Sequence, residues 1–286
     1  EEVNVLYSRG ASITDDPNLV NYVQSYFPYL INNREKTMSS EEMLREALRT
    51  TARADVIVAV LGEAEFMSGE AASRSNLDIP ESQKNLLKAL VRTGKPVVLV
   101  LVNGRPLTLT WEDENVPAIL EAWAGGTEAG NAIADVLFGD YNPAGKLTAT
   151  FPRSVGQIPL YYSHKNTGRP FNPVNKWNSK YIDITNDPLY PFGYGLSYTN
   201  FEYSDITLDK NELKGDESLT ASVGITNTGK YAGEEVVQLY IQDPVASISR
   251  AVKELKNFKK IMLQPGEKQE VQFTITTEDL KVYNID

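Results

Sequence analysis

The chain has 286 residues, 41% of them apolar and 23% charged, which supplies a sizeable core and a length that predicts two domains. Lysine and arginine total 28 against 38 acidic residues, a net charge of −10 that disfavours a nucleic-acid binder or a polybasic membrane-surface protein. There is no cysteine, one histidine (His164) and no apolar run near the ~18 residues of a membrane span, so disulfides, thiol catalysis, Cys/His zinc sites and a membrane-spanning helix are excluded.

Val3–Leu6 is a candidate strand. Ser39 followed by Glu42 is a capping-box pattern, and Met43, Leu44, Ala47 and Leu48 then recur on one helical face. Val56–Gly62 is a continuous apolar run ending in glycine and predicts a buried strand. Pro96–Gly104 reads the same way, and Ile119–Trp123 is a weaker third strand. Such runs suit parallel strands covered on both faces. Between them, Pro80–Val91 carries Leu86, Leu87, Leu90 and Val91 at helical spacing, with a stop at Gly94. Thr127 caps a helix from Glu128 to Leu137, closed by Gly139. The alternation predicts an open, mostly parallel sheet flanked by helices over residues 1–160. Its abrupt start leads to the expectation that part of this domain lies upstream.

Residues 161–200 are rich in proline, glycine, asparagine and tyrosine, and read as an ordered linker whose turns include Thr167–Pro170 and Asn186–Pro188. From residue 201 the period becomes two. Leu219, Ala221, Val223 and Ile225 alternate with polar or small residues, Asn227–Gly229 turns the chain, and Val237, Leu239 and Ile241 follow. Val271, Phe273 and Ile275 come after a turn at Gln264–Glu267. These short strands predict an antiparallel β-sandwich over 201–286, with its last strands expected to be missing.

Several chemistries find no support. The glycines of Gly125–Gly130 lack the Lys-Ser/Thr of a phosphate loop, and a tight turn feeding a helix explains them, with Glu128 at the helix dipole. No Gly-x-Ser-x-Gly elbow is present, and His164 lies in a loop where a surface role is the simpler reading. No nucleotide, flavin or metal requirement is indicated. The informative segment is Gly62–Pro80, directly after a strand, where open α/β sheets place ligand sites. It carries Glu63, Glu65 and Glu70 together with Arg74, with Gly69 beside Glu70 and Phe66 as an apolar wall. A carboxyl group held against such a wall in a dehydrated cleft can act as an acid near neutral pH. On composition alone, the simpler reading is that all three glutamates are solvated loop acids.

This segment resembles the acid/base loop of glycoside hydrolase family 3 enzymes, especially bacterial β-glucosidases. Lys95–Pro106 is similar to the family's second-domain strand and turn. Gly126–Leu147, Phe151–Pro159 with Tyr161 and Tyr162, and Tyr190–Thr199 continue the likeness in the family's order, across nearly the whole chain. The resemblance implies an α/β sandwich domain followed by a fibronectin type III-like domain, with the catalytic (β/α)8-type barrel and its Asp nucleophile absent from this chain. Glu70, in Ser68-Gly-Glu-Ala71, matches the general acid/base. Glu63 and Arg74 match supporting positions, and Phe66, Ser68 and Arg169 are assigned to substrate binding, the last through the Thr167–Pro170 loop.

The implied activity is retaining hydrolysis of terminal β-D-glucosyl residues, with this chain silent on its own. Partners are a glycoside substrate and the missing barrel, with a homodimer as a further expectation, and the compartment is periplasmic or secreted. Two alternatives stay open. One is a non-catalytic carbohydrate-binding or adhesive module built on Trp177, Tyr181 and Tyr190; the other is the same family acting on xylosides or arabinosides.

Overall fold

The computed structural model describes residues 3–26 and 38–283. The chain forms two compact units, one from residues 1–129 and 151–158, the other from 130–150 and 159–286.

The first unit holds the parallel sheet. Its strands β1 (Ile57–Gly62), β2 (Val97–Val102) and β3 (Ala118–Glu121) pair in that order, all parallel, with Gly62 opposite Val102 and Leu101 opposite Glu121. Helices α1 (Pro17–Tyr26), α2 (Ser40–Thr51), α3 (Glu81–Val91) and the short α4 (Thr110–Asn115) accompany it. The capping box of α2 forms as its residues predict: Glu42 N–H donates to Ser39 Oγ at 3.2 Å and Ser39 N–H to Glu42 Oε2 at 2.8 Å. That bonding holds the Glu42 carboxyl below its usual range. Gly94 ends α3 with φ +74°, in the left-handed region glycine adopts freely.

Leu86, Leu87 and Leu90 of α3 are buried, as are Leu99, Val100 and Leu101 of the central strand β2. Two expectations are corrected here. Val3–Leu6 forms no strand. The other concerns β1, which is buried on one face only: Ile57, Ala59 and Leu61 turn inward, while the alternate residues Val58 and Val60 are about half exposed.

The second unit is a β-sandwich. In one sheet β6 (Ser218–Asn227) pairs antiparallel with β9 (Lys268–Thr276) along its length, and with the short β4 (Phe201–Tyr203) and β5 (Thr207–Leu208) over successive stretches. β7 (Gly233–Ile241) and β8 (Glu254–Leu263) form the other. The inward residues of the alternating strands meet in one core that includes Ile225, Val237, Leu263 and Phe273. A short helix, α6 (Thr277–Leu280), follows β9. Asn227 is fully buried at the turn, and its amide accepts from Thr199 Oγ1 and Gly229 N–H while donating to the carbonyls of Tyr231 and Leu263.

The helix predicted over 128–137 is α5 (Ala129–Phe138), closed by Gly139 at φ +83°. The segment after it, Asn142–Leu147, belongs to the sandwich unit. Leu147 exchanges backbone hydrogen bonds with Gly193 and Tyr194 at 2.7 Å each, and Lys146 Nζ lies 3.0 Å from Glu235. The stretch 161–200 has no regular element but is ordered by its aromatics: Tyr162 stacks on Phe192 with centroids 4.2 Å apart, and Tyr190 on Tyr194 at 5.6 Å.

Candidate active site

The three parallel strands end side by side, and each is followed or closed by a polar residue: Glu63 after β1, Asn103 after β2, Glu121 at the end of β3. This carboxyl edge is where open α/β sheets place their ligand sites. The exit of β1 is fixed by Gln83 of α3. Its buried amide accepts Gly62 N–H at 2.8 Å and donates to the carbonyls of Gly62 (2.9 Å) and Ile13 (2.7 Å). A cavity of about 190 Å³ beside that exit is lined by Arg9, Gly62, Glu63 and Gln83, and does not include Glu70.

From Gly62 the chain enters the long loop. Residues Glu65–Met67 make one 3₁₀ turn, with Met67 buried as an anchor and Phe66 half-buried. Gly69–Ala72 then form a tight turn, closed by Ala72 N–H donating to Gly69 C=O at 3.4 Å. Glu70 sits at its corner, exposed to solvent. The backbone on both sides is unusual: Gly69 has φ +113° and Ala71 has φ +55°, a region that costs a residue bearing a Cβ about 1 kcal/mol. Ser68 is half-buried, and its Oγ occupies the space a Cβ at Gly104 would need.

The other two charged residues of the loop point inward. Glu63, with 1% of its side chain exposed, accepts Arg74 Nη1 at 2.5 Å, and Arg74 Nη2 reaches Asp78 C=O at 3.3 Å. The loop's far limb is tied down by Leu77 and Ile79, both buried, and by Lys84 at 3.0 Å from Asp78. Arg169, the remaining binding candidate, lies in the second unit. It is exposed, with its guanidinium donating to Trp177 C=O at 3.4 Å. Trp177 is 73% exposed. Glu63, Phe66, Ser68, Glu70 and Arg74 therefore share one loop, and Arg169 belongs to another part of the chain.

Three residues of this edge escape sequence reasoning. Arg105, just past β2, donates through Nη2 to the carbonyls of Met67 and Ala72, and its Nε lies 3.3 Å from Glu63 Oε1. Asn103 is buried, donating to Arg105 C=O at 2.8 Å and approaching Glu121 Oε2 at 3.5 Å. Burial pushes the Glu121 carboxyl up to about 7, against the opposing hydrogen bonds from Trp123 N–H and Asn103. The one available signal is position: Asn103-Gly-Arg105 follows a strand directly, but nothing in that order tells which way the side chains reach.

Residues 7–198 match the glycosyl hydrolase family 3 C-terminal domain, and residues 235–286 match a fibronectin type III-like domain. The chain belongs to glycoside hydrolase family 3, of which it carries the C-terminal portion. It is 55% identical over 282 residues to a periplasmic beta-glucosidase of Salmonella typhimurium, covering 98% of this chain and 36% of that protein. A beta-xylosidase of Formosa agariphila is 45% identical over 247 residues, covering 86% of this chain and 34% of the relative. The crystal structure of a beta-glucosidase from Listeria innocua in complex with glucose superposes with a TM-score of 0.82 at 48% identity, covering 87% of this chain and 35% of that one. The chain thus spans about a third of the length of the relatives it matches.

Proposed function

We propose that this chain supplies the general acid/base, Glu70, of a retaining glycosidase acting on terminal β-D-glucosides, and that the nucleophilic carboxylate comes from a barrel domain joined to it. One observation carries the reading. Glu63 and Arg74 neutralise each other in the interior, and of the two glutamates left exposed Glu65 opens the 3₁₀ turn, while Glu70 stands at the corner of the tight turn Gly69–Ala72 beyond the carboxyl ends of the strands.

The chemistry follows from two carboxyl groups about 5–5.5 Å apart. The protonated acid gives its proton to the glycosidic oxygen as the nucleophile attacks the anomeric carbon. It then takes a proton from the water that releases the sugar. Phe66 and Ser68, one on either side of Met67, border the leaving-group side. With the acid and the nucleophile on separate domains, docking assembles the site, and this chain alone is inactive. The sugar ring is read largely by the barrel, so xylosides are the second reading, favoured by the identity to the Formosa beta-xylosidase. The Salmonella relative's name favours a periplasmic or secreted location, and among the described residues no helix is long and apolar enough to cross a membrane.

The test uses the protein carrying this chain together with its barrel. Glu70→Gln is expected to lower kcat/KM, which reports the glycosylation step, for an alkyl glucoside by about 100-fold or more, and to change it far less for a dinitrophenyl glucoside, whose leaving group needs no proton. Equal losses on both substrates, or none, remove Glu70 from the acid/base role.

A further inference from the structure

We infer that Arg105 is the positioning residue of the acid/base turn: it fixes where Glu70 points without touching the substrate. The inference rests on the reading of Glu70 as the acid/base. The geometry is that of a staple. Met67 and Ala72 flank the segment Ser68–Ala71, and one guanidinium nitrogen of Arg105 holds the carbonyls of both. Bringing those two carbonyls onto one nitrogen fixes the ends of the turn at a single distance. The charge of the guanidinium strengthens both bonds beyond those of a neutral donor.

The staple is itself held. Its Nε faces the buried Glu63 carboxylate at 3.3 Å, and its backbone carbonyl is held by Asn103 Nδ2 at 2.8 Å. Gly104 brings the same backbone against Ser68 so closely that no Cβ fits between them. The turn that receives this support would not keep its shape unaided. Ala71 holds φ +55° and Gly69 φ +113° on either side of Glu70, and such strained backbone persists where its surroundings over-determine it. Arg105 commits its guanidinium to these groups and leaves Glu70 to the cleft. A lysine could satisfy one carbonyl and neutralise Glu63, but it lacks the planar fork that reaches two carbonyls and a carboxylate at once.

The experiment compares Arg105→Lys and Arg105→Met with Glu70→Gln in the barrel-containing protein. Two readouts are taken: hydrogen exchange of the Ser68–Ala72 amides against those of β2, and kinetics on alkyl and dinitrophenyl glucosides. In Arg105→Lys, the loop amides are expected to exchange about tenfold faster or more while β2 is unchanged. The kcat/KM for the alkyl glucoside is expected to fall by about 100-fold, through kcat rather than KM, and kcat/KM for the dinitrophenyl glucoside to be spared. Unchanged loop exchange in a folded Arg105→Lys variant overturns the proposal, as does a loss confined to KM. If Arg105→Met fails to fold because Glu63 loses a counter-charge, Arg105→Lys decides alone. Failure of Glu70→Gln to show leaving-group dependence sinks the acid/base reading, whereas the exchange data test the staple independently.

Discussion

Glu63 Oε1 receives Arg74 Nη1 at 2.5 Å while facing Arg105 Nε at 3.3 Å, so one buried oxygen sits between the guanidinium groups of two residues 31 positions apart in sequence. The pairing joins both limbs of the loop that carries Glu70 to the exit of β2. Removing the carboxylate leaves two cations close together in a poorly solvated place, and breaking buried pairs in this way costs roughly 3–5 kcal/mol. Glu63→Gln is expected to lower the urea stability of the first unit by that order. Arg74→Met is expected to cost less, because Arg105 remains.

Glu121 gives the first unit a pH dependence. Its carboxyl is raised from 4.5 to about 7 by burial, so between those values the folded state binds a proton that the unfolded state has released. The sign is therefore fixed: stability is highest below about pH 4.5 with respect to this group, falls as the pH rises towards 7, and is level above it. The loss is on the order of 2 kcal/mol after allowance for its partial exposure. Glu121→Gln is expected to flatten this part of the curve of chemical stability against pH. A curve of the same slope in wild type and variant contradicts the assignment.

In the sandwich unit, Asn227 makes four hydrogen bonds from a fully buried position at the end of β6. Leucine is close in size but leaves the partners Thr199, Gly229, Tyr231 and Leu263 unmatched. Asn227→Leu is expected to destabilise the unit by roughly 3 kcal/mol or more, read as a drop in the midpoint of its thermal transition.

The exposed Trp177, beside Arg169, tests the competing role of a carbohydrate-binding module. On the glycosidase account, calorimetric titration of this chain with cello- or laminari-oligosaccharides is expected to give no micromolar binding, and Trp177→Ala to leave its stability within about 0.5 kcal/mol. Micromolar binding abolished by Trp177→Ala favours the module.

The sequence made most of the scaffold legible where a local pattern matched its element. The runs around Val56 and Val97 became β1 and β2, and the Ser39–Glu42 spacing became a capping box because both depend on near neighbours. β8 was not legible: Glu254–Leu263 carries Lys256, Lys259 and Lys260 and shows no clean alternation, because it is an outer strand with much of its length exposed. Nor was α1, whose valine, asparagine and tyrosine content gives little helical preference. At the site, the glutamates of the loop could be located from their position after a strand. Which of them turned inward could not, because Glu63 and Glu70 differ through partners contributed from residues 74 and 105, and such contacts leave no local pattern. Arg105 illustrates this most plainly, being visible as part of a turn and invisible as a clamp.

The central claim is tested most directly by azide rescue of Glu70→Ala in the barrel-containing protein. With the proton donor and base removed, a dinitrophenyl glucoside should still glycosylate the nucleophile. Turnover should then stall until azide, which needs no base, attacks from the same face. A rise in rate with added azide, together with β-glucosyl azide as the product, is the expected result. No acceleration and no azide product, with wild-type turnover of the aryl glucoside retained, would place the acid/base on a different residue.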